Sequence, residues 1–127
     1  MMWENPARWP LDNGGTPHIS YLDGYNHSLK YARRTGTSWS VQTVDSHGYR
    51  SSIAVDSLNR PHISYTETGN SDLKYAYWNG SNWIIQTIDS SSSVYEYEDM
   101  TLDPDNNPHF CYYAAEEGLK YAHRKGS

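Results

Sequence analysis

Pro61-His62-Ile63-Ser64-Tyr65 decides the reading of this chain, because the same five residues stand at Pro17-His18-Ile19-Ser20-Tyr21 and return, relaxed, as Pro108-His109-Phe110-Cys111-Tyr112. Other blocks keep step with it. Leu29-Lys30-Tyr31-Ala32 recurs as Leu73-Lys74-Tyr75-Ala76 and as Leu119-Lys120-Tyr121-Ala122. Trp39 followed by Gln42-Thr43-Val44-Asp45 recurs as Trp83 followed by Gln86-Thr87-Ile88-Asp89. The offset is 44 residues from the first copy to the second, and 46 to 47 from the second to the third. A period held through several separate blocks marks a repeat architecture.

Each copy divides into short runs of alternating or branched apolar residues separated by turn chemistry. In the second copy the spacing predicts strands over 52–56, 62–66, 73–78 and 83–89. The first copy repeats this plan over 9–12, 18–22, 29–34 and 39–45, and the third over 100–103, 109–113 and 119–124. Gly, Pro or Asn interrupts every run, and no stretch keeps helical spacing. Lys125-Gly126-Ser127 matches Asn79-Gly80-Ser81, so the third unit is expected to lack its outer strand. Four-stranded antiparallel units of this size are those of propeller blades, and one such sheet must stack on like neighbours to cover its faces. The expectation is an all-β chain with a lead-in at 1–8 and blades at 9–46, 47–90 and 91–127. Three blades are fewer than the four to eight or so that close a ring. A second copy completing six blades is therefore expected, its two-fold symmetry covering every open face at once. The alternative is that the chain is a piece of a longer protein.

Composition narrows the function classes. Tyr occurs 12 times and Trp 5 times against a single Phe, which suits faces that are part apolar and part hydrogen-bonded. Ten basic against fifteen acidic residues give a net charge of −5, which argues against a nucleic-acid surface. No apolar run is long enough for a membrane-spanning helix. Met1-Met2-Trp3-Glu4-Asn5-Pro6 has neither the basic nor the apolar region of a signal peptide, leaving a cytoplasmic location as the default expectation. Cys111 is the one cysteine, excluding an intrachain disulfide. It stands where the other copies carry Ser20 and Ser64, and reads as a small buried residue.

The Pro-His-Ile-Ser-Tyr, Leu-Lys-Tyr-Ala and Gly-x-x-Trp blocks resemble the blade repeats of a bacterial β-propeller repeat family, over nearly the whole chain from Trp9 onward. Thr43-Val44-Asp45-Ser46-His47-Gly48 is loosely similar to the Asp-box of sialidase-type propellers, one residue out of register. The resemblance implies a propeller and leaves the activity open, because propellers host binding modules, scaffolds and enzymes alike.

Repetition sorts the candidate residues. His18, His62 and His109 recur once per unit and cannot converge on one ion, and zinc-type ligand spacing is absent. No metal or cofactor is expected. With Asp12, Asp56 and Asp103, and with Ser20 and Ser64, they read as a hydrogen-bonded network inside each unit, similar to that of Trp-Asp repeat propellers. Ser beside His without an elbow or an orienting acid is not a nucleophile signature. Glu96 with Glu98, and Glu116 with Glu117, could form a glycosidase pair, but read as solvated surface. Ligand binding belongs to positions that differ between copies, chiefly in loops. These are Tyr25 and His27 in the first copy, Tyr49 and Arg50 in the link after it, and Tyr95 and Tyr97 in the longer second link. The repeated Trp39 and Trp83 are similar in placement to residues flanking inter-blade sites of propeller lectins, or serve packing. A non-catalytic, lectin-like binding module for glycan is the expected function. A self-assembling protein–protein scaffold is the alternative, and a glycoside-processing enzyme of sialidase-like type stands third.

Overall fold

The computed structural model describes residues 9–91 and 93–125, with the side chains of Tyr95 and Glu96 outside that description. Ten strands form the regular structure: β1 His18–Asp23, β2 Ser28–Thr35, β3 Ser38–Asp45, β4 Gly48–Val55, β5 Pro61–Glu67, β6 Leu73–Trp78, β7 Trp83–Asp89, β8 Val94–Leu102, β9 Pro108–Ala114 and β10 Gly118–His123. They pair as three open antiparallel sheets: β1-β2-β3, β4-β5-β6-β7 and β8-β9-β10. The register repeats with the sequence. Ser20 faces Tyr31, Ser64 faces Tyr75 and Cys111 faces Tyr121 across the paired strands. The tight turn before each Pro-His strand places Gly15, Asn59 and Asn106 at positive φ (81°, 64° and 66°), a left-handed position that Gly and Asn tolerate best.

The second sheet lies between the other two, with β4 against β1 on one side and β8 on the other. Period-two alternation decides which side each residue covers. Ile53, Ile63, Tyr65 and Ala76 meet Leu29, Tyr31 and Val44 of the first sheet. Leu73 and Tyr75 meet Val94, Met100, Phe110 and Tyr112 of the third. Tyrosines also tie the sheets by their polar ends: Tyr65 Oη donates to Asp45 Oδ2 at 2.6 Å, and Tyr112 Oη to Asp89 Oδ2 at 2.7 Å.

Four expectations are corrected. The strand expected at 9–12 is reduced to one isolated bridge, Leu11 to Pro17. Pro10 has no N–H for a ladder, and the Asp12 carboxylate turns back to accept from Gly14 and Thr16 N–H. Among the described residues the first sheet thus has three strands, and only the second has four. The links at 47–50 and 93–99 are not loops. They begin β4 and β8, each bulged where it joins its neighbour, so Tyr49, Arg50, Tyr95 and Tyr97 stand on strands. Cys111 is exposed, because the side of β9 that carries it has no sheet against it among the described residues.

Gly48 shows how close the sheets come. A Cβ built there would lie 2.5 Å from Leu29 Cβ and 3.1 Å from Leu29 N. Gly48→Ala is expected to cost about 1–3 kcal/mol by overpacking. Gly24→Ala, where nothing lies within 4 Å, should stay within about 0.5 kcal/mol of the parent. Urea unfolding of the two variants checks the contrast.

Candidate functional site

Three side-chain chains recur, one per sheet. Asp12 Oδ2, Asp56 Oδ2 and Asp103 Oδ2 lie 3.0, 2.9 and 2.9 Å from Nε2 of His18, His62 and His109. The opposite ring nitrogen, Nδ1, meets Tyr31, Tyr75 or Tyr121 Oη at 2.7, 2.7 and 2.6 Å. A carboxylate can only accept, so Nε2 carries the proton; in the neutral ring Nδ1 then accepts from the tyrosine. Burial holds the His62 ring below its ordinary pKa of 6.5, against the pull of Asp56. The hydrogen bond from His109 and backbone N–H bonds hold Asp103 down to about 2. With every ring nitrogen engaged and the three chains on separate sheets, this arrangement fastens strands and does not gather an ion. Among the described residues no group of three acidic, His or Cys side chains could hold a metal.

Ser20 and Ser64 stand outside these chains. Ser20 Oγ meets Ser51 Oγ of β4 at 2.9 Å, while the Ser64 hydroxyl donates to the Glu98 carboxylate of β8. Both serines point to the next sheet, and the difference lies in the residue that meets them there, Ser51 on β4 against Glu98 on β8. Tyrosine of the Leu-Lys-Tyr-Ala block takes the place expected for serine, a partnership hidden in sequence because the two members are 12 or 13 residues apart.

The candidate ligand residues do not form one cluster. Tyr25 and His27 sit exposed on the β1–β2 turn. Trp83 is held between sheets, its Nε1 donating to Gln42 Oε1 at 2.8 Å and its ring edge-on to Tyr31 at 5.3 Å. Trp39, its counterpart on the first sheet, is 46% exposed. Tyr97 projects into solvent from β8. Tyr95 lies on β8 with its side chain outside the described set. Tyr49 and Arg50 do come together: the guanidinium carbon sits 5.4 Å from the centre of the exposed Tyr49 ring.

Glu98 corrects a sequence expectation. It is no solvated loop acid: its carboxyl sits against β5, held by Ser64. Burial pushes it up to about 8, the Ser64 hydrogen bond opposing, with Asp99 raising it further and Arg50 drawing it down. Asp99 in turn accepts from Ser52 at 2.7 Å. Thr66, two residues beyond Ser64 on the same side of β5, is 3% exposed, and its hydroxyl has no partner among the described residues. The same holds for Arg50 Nε. Residues 49 and 50 lie opposite Thr66 in the bulge between the Gly48–Glu67 and Ser51–Tyr65 pairs. Sequence reasoning passed over Thr66 and took Glu98 for solvated surface although a signal existed: the matching positions in the preceding pair of sheets are Leu22 and Ser51.

No family model matches the chain, and no curated protein matches it. Among solved structures, a fucose lectin from Kordia zhangzhouensis, in complex with methyl-fucoside, is similar in fold. The TM-score is 0.63 at 18% identity, over 96% of this chain and 94% of the lectin chain.

Three outcomes follow from this geometry. Tyr75→Phe strands the buried Nδ1 of His62 and should cost about 1–3 kcal/mol in urea unfolding. In the single-chain form Tyr121→Phe, at 64% exposure, should cost under about 0.5 kcal/mol because water replaces the hydroxyl. A carboxyl raised on folding contributes stability that is full below its ordinary 4.5 and is lost as pH rises through about 8. Glu98→Gln should therefore gain at least about 1 kcal/mol on the parent between pH 4.5 and pH 8.5, read from unfolding curves at both pH values.

Proposed function

We propose that this chain is a non-catalytic carbohydrate-binding module, each sheet one blade of a propeller whose ring is completed by a second copy. The observation that carries the reading is the end-to-end fold match with a lectin chain of similar length. Exposed Tyr25, Trp39, Tyr49 and Tyr97 supply flat apolar plates of the kind that pack against pyranose rings, flanked by polar side chains. Two of the acidic residues weighed for hydrolysis are engaged elsewhere, Glu98 by Ser64 and Glu117 by Lys120 at 3.1 Å.

Matching residues support this assembly. Tyr65 of the middle sheet is fully buried on the first sheet, whereas its counterpart Tyr21 is 38% exposed. At the other end Leu119 is 75% exposed, against 0% for its counterpart Leu73. The two open faces repeat the two faces that pack inside the molecule. Laying the first sheet of one copy on the third sheet of another reproduces the internal packing, and two such contacts close six blades. Apolar faces left open in this way would favour association on their own.

Light scattering at micromolar concentration is expected to give twice the 14.6 kDa chain mass. Leu119→Arg should return the single-chain mass, and a monomeric parent protein overturns the ring. Calorimetric titration with methyl-fucoside and methyl-galactoside tests the module itself. Saturable heat supports it, and silence across a glycan array, with Tyr49→Ala changing no tested interaction, overturns it.

A further inference from the structure

We infer that the groove between the second and third sheets is a binding site for a vicinal pair of hydroxyls on a neutral sugar, held by Arg50 and Thr66 beside the Ser64–Glu98 pair. The inference rests on the carbohydrate-binding reading above and narrows it to one groove and one ligand class. Three observations converge. Thr66 is almost wholly buried with an unengaged hydroxyl, Arg50 Nε is buried and unengaged, and both belong to the bulged segment where β4 faces β5. Two buried hydrogen-bonding groups left without partners are costly, so a site that retains them is built to receive one. Arg50 Nε–H can only donate and the Thr66 hydroxyl can donate or accept, which matches two adjacent ligand hydroxyls.

The groove is also unlike its neighbour. Between the first and second sheets the matching positions are Leu22 and a Ser20–Ser51 contact at 2.9 Å, with no orphaned buried donor among the described residues. Substituting Thr for Leu and Glu for Ser at matched positions serves no packing role that the first groove does without. Charge selects a neutral ligand. Arg50 is the cation at the site, Asp99 the carboxylate near it, and Glu98 is raised to about 8 and so is largely uncharged at neutral pH. Tyr49, 42% exposed and with the Arg50 guanidinium over its ring, is the aromatic plate next in sequence to this site.

The test is calorimetric titration of the full chain at pH 7 with methyl-fucoside, methyl-galactoside, methyl-glucoside and methyl-glucuronide. Thr66→Val keeps the side-chain shape and removes the hydroxyl; Arg50→Gln removes the buried Nε–H. Each should weaken binding of the neutral glycosides about tenfold to a hundredfold, while Ser20→Ala in the first groove leaves it unchanged. Circular dichroism and melting confirm that each variant folds. If sugar binds and Thr66→Val and Arg50→Gln bind as the parent does, the groove assignment is overturned while the module reading stands. Tighter binding of the glucuronide than of the glucoside overturns the neutral ligand class. A parent protein that binds none of the four overturns this site and its ligand class, while the module reading falls only if the glycan array is silent as well.

Discussion

Asp12, Asp56 and Asp103 each divide their two carboxylate oxygens between two tasks. Oδ1 of Asp56 accepts from the N–H groups of Leu58 and Arg60, closing the turn, while Oδ2 holds His62. His62 passes the constraint to Tyr75 on the next strand, so a single anion fixes a turn, a ring and a neighbouring strand. Hydrogen bonds to a charged group are worth about 1.5–3 kcal/mol each, more than most single contacts in a sheet of this size. Tyrosine suits the end of this chain because its ring fills the core while its hydroxyl reaches the polar thread. The abundance of Tyr over Phe is thereby explained.

The fold was legible because repetition multiplies weak signals. A single Pro-His-Ile-Ser-Tyr says little; three in step with Leu-Lys-Tyr-Ala fix strand spacing and turn positions. What escaped the sequence was local. Links 47–50 and 93–99 look like loops through their Gly, Ser and charged residues, yet pairing to β5 and β9 extends the strands through a bulge. Trp9-Pro10-Leu11-Asp12 looks like a strand until the missing Pro10 donor is counted. Cys111 looks buried by analogy with Ser64, but only Ser64 has a sheet opposite it. Placement in the stack decides the environment, and a repeat pattern cannot show which copy stands at an end.

The candidate site illustrates the same limit. Tyr49 and Arg50 were visible as differences between copies. Thr66 and Glu98 differ between copies too, but one sits beside a repeated pentapeptide and the other reads as one of the acids that ordinarily face water. Strand alternation puts Thr66 on the side of β5 where Ser64 meets Glu98, and burial there takes water away from Thr66. Positions common to all copies hold the sheets together, and positions that break the repeat, at the same depth in the stack, carry distinct chemistry.

The middle sheet is covered on both sides, whereas each outer sheet leans on one neighbour. Repeat stacks of this kind have stability that is close to a sum of nearest-neighbour terms. Local opening should therefore begin at the ends and run inward. In the isolated chain, amide hydrogens of β5 and β6 would exchange slowest, and those of β3 and β10 would exchange at rates set by peeling of one sheet, not by global unfolding.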